Sequence, residues 1–354
     1  MQPISAPDRQ RRQHDRPGRR TLRVAAVALA PLLVLTACGG DDDGGGGGGG
    51  GDVELRLAHS YTEQQPQHRC GAQVIADEVA KANAGVKVEI FPNSQLGGDA
   101  DRIASVVSGD IDMDIQGASA LGAVYEPVSA VDAAYAFDDG EHLKRFFESP
   151  ESKTLVDGFA SKAKVHTLGA WSIGMRHFTA NKPIRTPADL QGLRMRFPNS
   201  PQFLMNAKAL GASATEVAYE ELFLALQQGT VDGQENPIVN IKALNLPEVQ
   251  DYVSLSSHQA NSNLVIIGDK WNQLSADQQK VLTDAVGKAV DQVSGCVAED
   301  ERKTLEEWKS GGKFKVVEDV DVAAFRTKAE TYLRANLKGE ALAVYESIRK
   351  TAAG

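Results

Sequence analysis

A chain of 354 residues, with 42% hydrophobic and 24% charged residues, is long enough for two packed domains of about 150 residues each, and this composition excludes wholesale disorder. Its net charge of −9 argues against nucleic acid and anionic membrane surfaces as partners. An anionic ligand would need a local positive pocket inside a negative surface.

The first 37 residues stand apart, with seven arginines against two aspartates and then the apolar run VAAVALAPLLVLTA. A basic region, a short apolar core and a small-residue site make a secretion signal, too short for a secure membrane span. The sequence LTAC at positions 35–38 looks like a lipobox, which makes Cys38 the expected lipidated N-terminus of the mature chain. An uncleaved apolar anchor would leave the domain on the same side of the membrane. Arg19 and Arg20, followed by Thr-Leu-Arg, are a weak match to a twin-arginine export signal. Removing the leader, whose charge is +5, leaves a mature chain of −14. Residues 38–52, rich in Gly and Asp with no apolar content, read as a flexible tether. A metal site on the acidic triplet of so loose a segment would carry a large ordering cost.

From Val53 the pattern becomes regular. VELRLAHS alternates as a strand does, HRCGAQVIADEVAKANAG has apolar residues at helical spacing, and VKVEIFPNS is a strand again. DADRIASVVSGDIDMDIQG repeats the unit, so the class is α/β. Ligands of such folds sit beyond the carboxyl ends of the strands, which points to Ser60–Gln65, Asn93–Gly98 and Gln116–Ser119, with Gln116 a candidate contact. QLGGD at 95–99 lacks dinucleotide or Walker spacing and reads as a turn entering a helix capped by Asp99. Helices are expected over 141–165, SPQFLMNAKALGA, YEELFLALQQG and 321–350, and SNLVIIGD is a buried strand. The stretch Ser275–Lys309 has a capping serine and helical periodicity over roughly 35 residues, far above the average helix. Cys70 and Cys296 remain after Cys38; an oxidising compartment favours a disulfide, and two separate buried thiols are the alternative.

The segment from Gly169 to Pro237 holds the candidate site. Arg176 is embedded among Trp171, Met175 and Phe178, and Arg196 lies between Met195 and Phe197, so each guanidinium sits beside apolar surface where a charge needs a partner. A ligand carboxylate supplies one, through a flat two-pronged pair. VDGQENP places Asn236 before a proline in a tight turn, with an amide able to donate to one ligand oxygen and accept from a hydroxyl.

The order R-x-F-T-x-N-K-P-I, then D-L-x-G-L-R-M-R-x-P-N-S, then G-A-x-x-T-E-V-x-Y-x-E-L-F-x-A-L-Q-x-G-x-V-D-G-Q-E-N-P resembles the solute-binding proteins of TRAP transporters, the tripartite ATP-independent uptake systems for organic acids. The likeness extends upstream into FPNSQLGGDADRI and covers nearly the whole mature chain. It implies a two-lobed periplasmic-binding-protein-like fold with a ligand cleft between lobes and a long C-terminal helix spanning both. It implies that Arg196 anchors the substrate carboxylate, with Arg176 and Asn236 lining the same site, and that the closed form docks on membrane permease subunits for ion-driven import. The lobes are expected as 53–172 plus about 262–300, and 173–261 plus about 301–354.

An enzyme would need nucleophile, base or metal spacing. The seven histidines show no H-E-x-x-H pattern, no G-x-S-x-G elbow is present, and Glu235 reads as a local pairing group. An extracytoplasmic hydrolase or lyase is therefore disfavoured, no cofactor or metal is expected, and the alternative within binders is a sensor reporting to a membrane receptor. Some sugar-acid-binding members of the family carry an acidic residue near the position of Gly117. Its absence speaks against a sialic-acid type of ligand, and Trp171, Phe197, Tyr61 and Tyr219 suit a less hydroxylated or aromatic acid.

Overall fold

The computed structural model describes residues 53–352; the expected signal peptide, Cys38 and the tether lie outside them. Alternation in VELRLA and VKVEIF yields two parallel strands, β1 (Val53–Ala58) and β2 (Val86–Phe91), and MDIQ adds β3 (Met113–Gln116) on the other side of β1. The helices Gln73–Ala82 and Asp99–Ser108 make the crossovers, as expected for parallel neighbours. A second parallel group consists of β5 (Arg194–Phe197), β6 (Ser213–Glu216) and β7 (Gly233–Pro237).

Two long antiparallel strands join the groups. They are β4 (His166–Ala180) and β8 (Tyr252–Ile267), of 15 and 16 residues, against the five or six usual for a strand. The sheet order is β2-β1-β3-β8-β4-β7-β5-β6, with the short β9 (Lys315–Val317) on β8. The β3 strand therefore pairs with the end of β8, and β7 with the end of β4, so both long strands run from one lobe into the other. Their register slips between Ser172 and Met175, where Gly174 has a φ of 102° that favours glycine.

The long helix Ala276–Gly311, 36 residues, also serves both lobes. A reciprocal capping box with Gln278 fixes its start at Ser275, and Gly312 closes it in the left-handed region. Leu282, Val286 and Val293 lie in one core with Leu55, Leu57 and Ile115. Trp308, near the other end, meets Phe314 edge-on in a core with Leu222 and Ile241. Between these ends, the Glu301 carboxyl lies against Gly174, where an added Cβ would have to displace it. Cys70 and Cys296 form a disulfide that ties the turn Gln67–Ala72 to this helix.

Three element boundaries differ from expectation. The helical region 141–165 breaks at Ser149, ahead of Pro150, into Gly140–Glu148 and Lys153–Ala163, because proline removes a donor and restricts its predecessor. The terminal helix divides into Val322–Asn336 and Gly339–Lys350, where buried Leu337 turns extended and Gly339 takes a φ of 53°. The strand read as SNLVIIGD begins ten residues earlier, at Tyr252. Its first half carries Ser254, Ser256, His258 and Gln259, all buried, so the hydrophobic signal of a central strand is missing.

Candidate functional site

A cavity of about 490 Å³ is lined on one side by Ser60, Asp99 and Gln116 and on the other by Arg176, Arg196, Tyr219 and Asn236. Ser60 follows β1 and Gln116 ends β3, at the carboxyl ends of parallel strands where helices leave the sheet and a crevice opens. Ser94, in the loop after β2, donates to the Glu220 carboxylate at 2.6 Å, a bond between the two sides.

Arg196 sits on β5, where side chains alternate between faces. Met195 and Phe197 are fully buried in the core, and Arg196, between them, faces the cavity at 2% exposure. Its Nε donates to the Val217 carbonyl at 2.8 Å, which fixes the plane of the guanidinium. Both terminal nitrogens lack a hydrogen-bond partner and a carboxylate among the described residues. Burial lowers its pKa to about 10, partly offset by the more distant Glu235 charge, so it stays a cation at neutral pH. What remains is a fixed, buried, forked donor pair with an unanswered charge.

Arg176 lines the same cavity in a different state. Its guanidinium makes a bidentate pair with Glu235 and also donates to the Glu235 carbonyl at 2.7 Å and to Asn261. Its face stacks over the Phe203 ring, 4.8 Å from the centroid. The partner that its apolar surroundings demand is therefore within the chain. Burial alone would raise the Glu235 pKa, but the Arg176 charge and the His258 hydrogen bond outweigh it and hold the carboxylate below its ordinary value. His258 is pushed down by burial, so the trio is one cation, one anion and one neutral ring.

The remaining predicted residues divide. Gln116 lines the cavity, its amide donating towards Asp114 and Asp99 and its oxygen accepting from Gly117 N. Asn236 lines it too, donating to Gln234 Oε1 at 2.5 Å. Tyr219 has a buried hydroxyl with no hydrogen bond, although Gln65 is close, and burial raises its pKa. Trp171 and Phe197 are not cavity residues. Trp171 packs on Gly71 in the core beneath β1, and Phe197, on the opposite face of β5 from Arg196, packs with Phe178 and Phe203. Both follow strand alternation, which a residue-type argument overlooks.

Asp99 was expected to cap a helix, and it does not. Gly98 is the N-cap, with no side-chain cap bond, and the Asp99 carboxylate instead accepts from Ser60 at 3.0 Å and from buried Arg102 at 2.9 Å. Sequence reading also missed Glu220, Asn261 and Asp132 as cavity residues. Of the cavity carboxylates, only Asp99, next to the expected ligand loop Asn93–Gly98, carried a signal in the sequence.

Residues 57–339 match the family model for bacterial extracellular solute-binding proteins, family 7. A solute-binding protein of Roseobacter denitrificans is 33% identical over 299 residues, covering 84% of this chain and 91% of that protein. The sialic acid-binding periplasmic protein of Vibrio cholerae is 33% identical over 68% of this chain and 76% of its own length. The crystal structure of a TRAP periplasmic solute-binding protein from Polaromonas, bound to D-erythronate, superposes with a TM-score of 0.78 at 30% identity, covering 85% of this chain and 98% of that one. The chain belongs to family 7 of the bacterial extracellular solute-binding proteins, the TRAP-transporter type.

Proposed function

We propose that the protein captures a small organic acid in the cavity between its lobes, with Arg196 holding the ligand carboxylate, and hands it to membrane permease subunits for ion-driven uptake. The observation that carries this reading is the buried Arg196 guanidinium, held at Nε and uncommitted at both terminal nitrogens. A carboxylate there completes a two-pronged, charge-assisted pair in a site shielded from water, where such pairs are strongest. Relatives supply the precedent: a crystal structure of a TRAP periplasmic solute-binding protein from Roseobacter denitrificans holds L-galactonate, and one from Desulfovibrio salexigens holds orotic acid. Lobe closure would exclude water, and Ser94 with Glu220 is a contact suited to hold the closed form. Cys38, if lipidated, would tether the protein to the outer face of the membrane.

The test is a thermal-shift screen of the full chain, after unfolding and refolding to remove any ligand carried through purification, against mono- and dicarboxylates, keto acids, aromatic acids and sugar acids. A ligand at a hundred times its dissociation constant adds about 2.7 kcal/mol to the folded state. The expected result is a rise in melting temperature confined to acids and abolished in Arg196→Ala. A response to acids that survives in Arg196→Ala would sink the assignment.

A further inference from the structure

The charged groups around the cavity differ in how far they are committed. Two cations line it, Arg176 and Arg196, and Arg176 is already neutralised by Glu235. Asp99 stands across the cavity from them, and Glu220 lies at its rim beside Tyr219. The Asp99 Oδ1 accepts from Ser60, Arg102 and Gln116, while its Oδ2 is free. Glu220 accepts from Ser94 on Oε1 and keeps Oε2 free. Asp132, buried on the same wall, has its carboxylate occupied by Ser119 N and Ser262 and faces no cation within ion-pair distance among the described residues.

Resting on the Arg196 reading, we propose that the cargo is a hydroxylated monocarboxylate: one carboxylate on Arg196, and hydroxyl groups read by Asp99 across the cavity and Glu220 at its rim. A second carboxylate there would meet two carboxylates and no free cation, a repulsive arrangement that discriminates as strongly as an attractive one. Hydroxyls are the matching chemistry, because they donate to the free oxygens. This reverses the expectation of a less hydroxylated or aromatic acid. That expectation leaned on four aromatics: Trp171 and Phe197 lie in the cores, while Tyr61 and Tyr219 line the cavity and bring a phenol hydroxyl with each ring.

The experiment is isothermal titration of the full chain, unfolded and refolded, with acids matched for length. At six carbons these are hexanoate, adipate, D-gluconate and galactarate; at four they are butyrate, succinate, D-threonate and tartrate. At the better-binding length, the hydroxylated monocarboxylate should bind about tenfold or more tighter than its plain, dicarboxylate and hydroxylated dicarboxylate counterparts. Asp99→Asn should narrow the gap to the plain dicarboxylate by about tenfold, and Glu220→Gln, at the rim, by less. Dicarboxylates or the plain acid binding as tightly as the hydroxylated acid would overturn the inference and leave the Arg196 reading intact. So would an unchanged ranking in both folded variants; should Asp99→Asn fail to fold, Glu220→Gln and the wild-type ranking decide. Absence of binding by every acid, or equal binding by Arg196→Ala, would overturn both readings.

Discussion

Arg176 and Glu235 close on each other with both guanidinium prongs and both carboxylate oxygens, leaving Arg196 as the cavity's uncommitted cation. Two arginines in one wall thus have opposite duties. One is paired within the protein, and the other keeps both terminal nitrogens free.

For Arg196 this predicts an unusual split between binding and stability. Arg196→Lys should lose most affinity for the acid, because an ammonium cannot reproduce the planar fork, while the melting temperature of the empty protein stays level or rises. A buried charge without a counter-ion contributes nothing to folding. Calorimetry for affinity and scanning calorimetry for stability check both halves; a lysine variant that binds normally would exclude the two-pronged contact.

Arg176→Ala should behave in the opposite way. It strands Glu235 in the core beside a neutral His258, and breaking a buried pair in this manner typically costs about 3–5 kcal/mol. Urea unfolding is the measurement. A stability loss below about 1 kcal/mol combined with collapsed binding would mean that Arg176 serves the ligand after all.

Glu301 offers a pH test. Burial raises its pKa from 4.5 to about 8, and its Oε1 has no hydrogen-bond partner. The folded protein therefore binds this proton more tightly than the unfolded chain does. The sign follows: stability from this group is greatest at acid pH and is lost as pH rises from about 4.5 to about 8. Glu301→Gln should match the wild type near the acid end of that window and exceed it at the alkaline end by on the order of 2 kcal/mol. Parallel curves of unfolding free energy against pH would refute the assignment.

The Cys70–Cys296 disulfide joins residues 226 apart in sequence and lies outside the cavity lining. Replacing both by serine should lower stability by about 2–5 kcal/mol while leaving the affinity for the acid unchanged. Urea unfolding and titration on one preparation test this, and a large affinity loss would connect the bridge to the cleft.

Much of this was legible in the sequence where chemistry and local pattern agree. The strand–helix–strand rhythm after Val53, the capping serine of the long helix and the R-M-R alternation that buries Met195 and Phe197 while turning Arg196 away are all local. What was not legible depends on partners distant in sequence. Nothing near Arg176 shows that Glu235, 59 residues on, takes up its charge. Nothing near Asp99 shows that Ser60 and Arg102 draw its carboxylate away from the helix end. The first half of β8 was hidden because its buried side chains are polar, with Ser256 hydrogen-bonded to His258 and His258 to Glu235.

The chain passes between the lobes along β4, β8 and the long helix. Each parallel strand group is completed by one of the two long strands, so no single cut separates the groups. A change of cargo in such an architecture has to come by substitution at individual cavity positions, with the rest of the scaffold held in common.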